Sequence, residues 1–205
     1  MTTIVDQGMR AYYAQRAGEY DDWWLGTGLF AERERPGWTS EVEALVELVQ
    51  SLAPARWLDV ACGTGFLTRH LRGEITAIDQ SAAMVAITQS RLPEARVRVG
   101  EATPLAFGDG AFDYVFTSHF YGHLRPGERE AFLAEARRVS RGLVLVDSAR
   151  QPNAPGEQQQ ERFLNDGSRH SVYKRFFEGR DLLAELGGGE LLHCGRWFVV
   201  ATTNG

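Results

Sequence analysis

An α/β fold built on a doubly wound, mostly parallel sheet is predicted for this chain by three observations. Short apolar runs of strand length alternate with amphipathic stretches of helical length between residues 40 and 147. A glycine-bearing turn, Cys62-Gly63-Thr64-Gly65, joins the first apolar run to the stretch that follows it. Two closing runs around Gly195 carry the pattern of an antiparallel hairpin at the C-terminal end, which brings the expected sheet to seven strands.

The elements follow in order. Residues 1–40 are expected to form a helical lid segment, because positions 10 to 38 concentrate aromatic and charged residues ahead of the first sheet element. Ser40 and Glu43 form a capping-box pattern before Val42, Leu45, Val46, Val49 and Leu52, which predicts an amphipathic helix that stops near Pro54. Trp57, Leu58, Val60 and Ala61 read as a buried strand, and Phe66, Leu67, His70 and Leu71 recur at helical spacing after the turn. Glu74–Asp79 is the second strand, and Ser81–Leu92 a helix broken by Pro93. Arg96–Val99 and Phe112–Ser118 are further strands, Pro126–Ser140 a helix that starts on proline, and Leu143–Asp147 a buried strand. Residues 148–170, with ARQPNAPGEQQQ, read as loop; Val172–Phe177 is a short strand or lid, and Arg180–Leu186 a helix closed by glycines.

Length and composition narrow the function. A chain of 205 residues with 43% hydrophobic content suits one domain, 1–205, with 41–205 as its core. No apolar run reaches membrane-spanning length, and the polar start MTTIVDQGMR lacks a secretory profile, so a cytoplasmic protein without a membrane partner is expected. Cys62 and Cys194 form neither a disulfide framework nor a metal motif, and no metal is expected. The formal net charge of -5 lacks the basic footprint of a nucleic-acid binder, which favours a small-molecule substrate.

The turn at 62–65 sits where unpaired backbone N–H groups would face a ligand above the strand ends. Gly63 and Gly65 are followed by Thr68, so the third glycine of a dinucleotide fingerprint is missing. An adenosine-containing ligand needs an acid at the end of the second strand for its ribose hydroxyls, and Asp79 stands there in AIDQS.

The stretch Asp59-Val60-Ala61-Cys62-Gly63-Thr64-Gly65 resembles the D/E-x-G-x-G-x-G pattern of class I S-adenosylmethionine-dependent methyltransferases, with Ala61 in place of the first glycine. AIDQS and VGEATPLAFGDGAFDYVFTSHFYGHL also look like the family's later stretches, and the likeness runs over about residues 10 to 147. It implies a Rossmann-like fold, S-adenosylmethionine as cofactor, and methyl transfer to a small acceptor by in-line displacement. The implied cofactor set is Asp59, Ala61, Gly63 and Gly65 on the turn, Asp79 and Gln80 after the second strand, Glu101 and Ala102 by the adenine, and Ser118. Tyr13 and Tyr20, on a stretch that resembles the covering helix of such enzymes, would reach the cofactor's carboxylate or close the site; packing on the sheet is the plainer alternative.

For the acceptor's proton, His119 is the first candidate base and His123 the second, because both follow the fourth strand in TSHFYGH. The alternative is that one caps a helix and the other packs on the cofactor. Trp23, Trp24, Trp38 and Tyr121 are candidate acceptor walls, while Arg150 and Lys174 would meet an acidic group on the acceptor or else form a solvated face. A nucleic-acid or protein methyltransferase, or a non-catalytic S-adenosylmethionine-binding protein, would share every cofactor anchor.

Overall fold

The computed structural model describes residues 7–204; the first six residues of the expected lid segment, and Gly205, lie outside the described residues. The lid region is α1 (Gln7–Arg16) and α2 (Asp22–Leu25), each followed by one 3₁₀ turn, at Ala17–Glu19 and Gly28–Phe30. Next come α3 (Trp38–Ser51), β1 (Ala55–Val60), β2 (Gly73–Asp79), α4 (Ala82–Arg91), β3 (Arg96–Val99) and β4 (Phe112–Ser118). The second half holds α5 (Pro126–Val139), β5 (Ser140–Ser148), β6 (Glu157–Phe163), β7 (Arg169–Arg175), α6 (Gly179–Leu186), β8 (Glu190–Cys194) and β9 (Phe198–Asn204). Among the described residues no helix is long and apolar enough to cross a membrane.

Seven strands form one sheet in the order β3-β2-β1-β4-β5-β9-β8. The first five are parallel, and β9 runs antiparallel to both β5 and β8. Parallel neighbours need a crossover, which α4 supplies between β2 and β3 and α5 between β4 and β5. Period-two alternation then divides the core between the two faces of the sheet. Leu143 and Leu145 of β5 join Phe132 and Leu133 of α5 and Leu182 of α6. Their alternates Val144 and Val146 join Val42, Leu45 and Val49 of α3 with Trp24, Trp38 and Phe198. Strand order reverses between β1 and β4, so a crevice opens above the carboxyl ends of these strands.

Four local expectations are corrected. The stretch after the turn is one 3₁₀ turn, Thr68–His70, and not a helix. Gly63 and Gly65 have positive φ, and β2 starts at Gly73, which leaves length for little more than one turn. Phe66 instead stacks on Trp24, with ring centroids 4.7 Å apart. The capping box does not form: α3 starts earlier, on a left-handed Gly37, which places Ser40 inside the first turn. The supposed loop contains β6, Glu157–Phe163, polar but for Phe163 and paired antiparallel with β7. That hairpin starts β7 at Arg169, ahead of the expected Val172. Backbone pairing and the packing of α1 on the hairpin hold β6; an apolar pattern does not.

Candidate active site

Three chain segments converge at the crevice. The turn after β1 carries Ala61 and Gly63, the end of β2 presents Asp79 and Gln80, and the end of β4 presents Ser118 and His119. Together with Tyr13, Tyr20, Glu101, Ala102 and His123 they line a cavity enclosing about 1110 Å³, part of it open to solvent. Ala61 holds φ 60°, which explains why a glycine suits this position. The ring of Tyr20 lies beside Gly63, 3.5 Å from where a Cβ would stand.

Asp79 ties the turn to the second strand. One carboxylate oxygen accepts from Gly63 N–H at 3.0 Å and the other from Ser81 N–H at 2.8 Å. Each oxygen retains capacity to accept a further hydrogen bond, and Asp79 lines the cavity. Burial raises its pKa, against the pull of these two bonds. Glu101, in the cavity wall, is paired with Arg10 of α1 at 2.6 Å, which links the covering helix to the expected adenine end.

Asp59 lies behind the turn, 1% exposed, and does not line the cavity. Its Oδ2 accepts from the Thr68 hydroxyl at 2.5 Å, and its Oδ1 has no partner. Burial pushes its pKa up to about 7. The unfolded carboxyl ionises near ~3.9, so folded-state stability falls as pH rises from the unfolded value through about 7 and then stays low. Asp59→Asn keeps an acceptor for Thr68 without this penalty. Thermal melts of the cofactor-free protein should show the variant gaining on the native chain between about pH 4 and 7, with no further gain above.

His119 has φ 55°, a left-handed conformation rare for non-glycine residues, at the carboxyl end of β4. Its Nδ1 lies 3.3 Å from the Ser148 hydroxyl, and its buried Nε2 has no partner. Trp23, Trp24 and Phe198 pack their rings around it, with the closest centroid at 4.7 Å. Burial, then the Lys174 charge, depress its pKa well below the ordinary histidine value, so the ring is neutral. His123 is fully engaged. Its Nδ1 donates to the Tyr173 carbonyl at 2.7 Å, which leaves Nε2 to accept from the Tyr13 hydroxyl at 2.8 Å. Burial also holds His123 neutral and Tyr13 protonated.

Other expected residues lie off the cavity. Gly65 packs on Thr88, whose methyl group would stand 3.1 Å from a Cβ. Trp23 and Trp24 pack on His119, and Trp38 packs on Trp23 and Phe198, with its Nε1 donating to the Trp24 carbonyl. They back the histidine and do not wall the cavity. Tyr121 is buried in the core against Phe177, its hydroxyl bonded to Glu185. Arg150 pairs with Glu178 on the surface. Sequence reasoning missed Met84, on the first turn of α4, and Arg125, Gln159 and Tyr173 in the outer wall; the last two follow from a hairpin the polar run concealed.

Lys174 is neither solvated nor on the cavity wall. It is 3% exposed and holds Asp147 Oδ1 at 2.5 Å. Asp147 accepts further from Gly122 and Ser148 N–H, at 2.8 and 2.7 Å. Lys174→Met would leave a buried carboxylate without its cation, and denaturant unfolding should show a loss of ~3–5 kcal/mol. Lys174→Met with Asp147→Asn should recover most of that loss.

Gln80 Oε1, Ser118 Oγ and His119 Nε2 are buried polar atoms without partners, all in residues that line one cavity. With Asp79 and the Gly63 turn they fit a polar adenosine cofactor, which would be held by Asp79 and Gln80 at the ribose and by the turn at its amino-acid tail. Fold and site together define a Rossmann-like protein of the adenosine-cofactor class. The family model described as a methyltransferase domain matches residues 58–145. Over 165 residues the chain is 32% identical to the demethylmenaquinone methyltransferase of Beutenbergia cavernae, covering 73% of this chain and 68% of that protein. The chain belongs to the class I S-adenosylmethionine-dependent methyltransferases, whose cofactor is S-adenosylmethionine. It is also 34% identical over 116 residues to the demethylmenaquinone methyltransferase of Thermotoga maritima, covering 53% of this chain and spanning half of that protein's length. Among solved structures it shares the fold of the DhpI-SAM-HEP complex, at TM-score 0.78 and 24% identity over 98% of both chains.

Proposed function

We propose that this chain transfers a methyl group to a small-molecule acceptor seated beneath α1 and beside the β6–β7 hairpin, with His119 facing the reacting atom. One observation carries the reading: a neutral, unpartnered His119 Nε2 in a residue that shares its cavity with Asp79 and Gly63. When bound, S-adenosylmethionine supplies an electrophilic methyl on a sulfonium. The chain's own part is alignment, exclusion of water and removal of a proton. Asp79 and the turn fix one end of the site, and α1, tied down by Tyr13 to His123 and Arg10 to Glu101, covers it. His119 Nε2 accepts the acceptor's proton, while Ser148 and the aromatic cluster hold the ring. The names of the two demethylmenaquinone relatives support a small-molecule acceptor, as does the absence of net positive charge. Incubation with methyl-labelled cofactor and pooled phenols, acids, amines and quinone precursors is expected to yield one acceptor heavier by one methyl. Cofactor binding without transfer to any acceptor would overturn the enzymatic reading.

A further inference from the structure

Tyr13 of α1 and His123, after β4, both line the cavity and share a hydrogen bond whose direction follows from what lies behind it. The Tyr173 carbonyl, 2.7 Å from His123 Nδ1, can only accept, so Nδ1 carries a proton. A second proton, on Nε2, would make a buried cation. The acid beside it, Asp147, accepts from Gly122 N–H and is already held by Lys174, whose charge also opposes protonation of His123. Nε2 is therefore an acceptor, and the Tyr13 hydroxyl donates its one proton to it at 2.8 Å. The Tyr13 oxygen is left with lone pairs alone. It has nothing to donate to a cofactor carboxylate, and it suits a cation or polarised hydrogens instead.

The place of Tyr13 selects which part of the cofactor meets that oxygen. The covering segment touches cavity residues at three points. Arg10 pairs with Glu101 at the expected adenine end, and the Tyr20 ring lies beside Gly63, on the turn expected to hold the amino-acid tail. Tyr13 lies against His123, with ring centroids 5.7 Å apart, on the segment after β4 that also carries His119. In S-adenosylmethionine the sulfonium joins adenosine to the tail and is the group turned to the acceptor, so the third point is the one that suits it. Lone pairs stabilise both its positive charge and the polarised C–H bonds beside it.

We infer that the Tyr13 oxygen, oriented by His123, binds the sulfonium of S-adenosylmethionine and so favours the charged methyl donor over its neutral demethylated product, S-adenosylhomocysteine. The inference needs the cofactor class of this chain, but neither a small acceptor nor a proton taken up by His119. Two measurements on binding and protonation test it whatever becomes of the transfer reading. In calorimetry, Tyr13→Phe should weaken S-adenosylmethionine about tenfold and leave S-adenosylhomocysteine within about twofold of native, because the two ligands share adenosine and tail. Equal weakening of both would assign Tyr13 to the shared parts or to packing and overturn the inference, as would unchanged affinity for both. In the native protein, the ¹⁵N shifts of the His123 ring should report a protonated Nδ1 and an unprotonated Nε2. A proton on Nε2 would reverse the hydrogen bond and overturn the inference without recourse to any variant.

Discussion

His119→Asn should lower turnover by ~10²–10⁴-fold while leaving S-adenosylmethionine affinity within a few-fold of native, as expected when a general base is lost. Asparagine is the informative replacement because it tolerates the left-handed backbone that His119 adopts at φ 55°, whereas alanine adds strain to the loss of the ring. It retains hydrogen-bonding capacity but does not take up a proton near neutral pH. Burial and the Lys174 charge hold the His119 pKa low, so protonation requires a pH below the ordinary histidine range. Native turnover should therefore be flat through neutral pH and fall on the acid side below that range. The variant should lack this acid limb. A loss confined to the acceptor's KM would make His119 a positioning residue. Native turnover in the variant would pass the test to Tyr13 and His123, whose hydrogen bond also borders the cavity.

Asp79→Ala should weaken S-adenosylmethionine binding by at least about a hundredfold in calorimetry, since two hydrogen bonds to a charged acceptor contribute ~1.5–3 kcal/mol each. The effect has a second source in the fold. Asp79 also accepts from Gly63 and Ser81, so its removal releases the turn and the start of α4 together. Asp79→Asn separates these sources, because it retains a side-chain acceptor for one of the two N–H groups and loses the charge. Intermediate affinity for Asn is expected, with a melting temperature nearer the native value than that of Ala. Unchanged affinity in both variants would remove Asp79 from the cofactor site.

Elements that bury one face or two through local pattern were legible in the chain: α4 broken by Pro93, β4, α5 started by Pro126, and the β8–β9 hairpin. The turn was legible too, because Gly63 and Gly65 answer to backbone angles that few other residues adopt. So was the acid at the end of β2, whose position follows from chain order in a doubly wound sheet. Tertiary structure alone decided the rest. Tryptophans 23, 24 and 38 carry no mark in sequence to say whether they face a ligand or one another; packing turned them onto His119 and Phe198. Lys174 read as a contact for an acidic group on the acceptor or a solvated charge until the β6–β7 pairing brought it to Asp147, 27 positions away. Whether a charge is solvated, paired or left for a ligand depends on what distant segments place beside it, since desolvation is set by the whole surrounding volume and not by sequence neighbours.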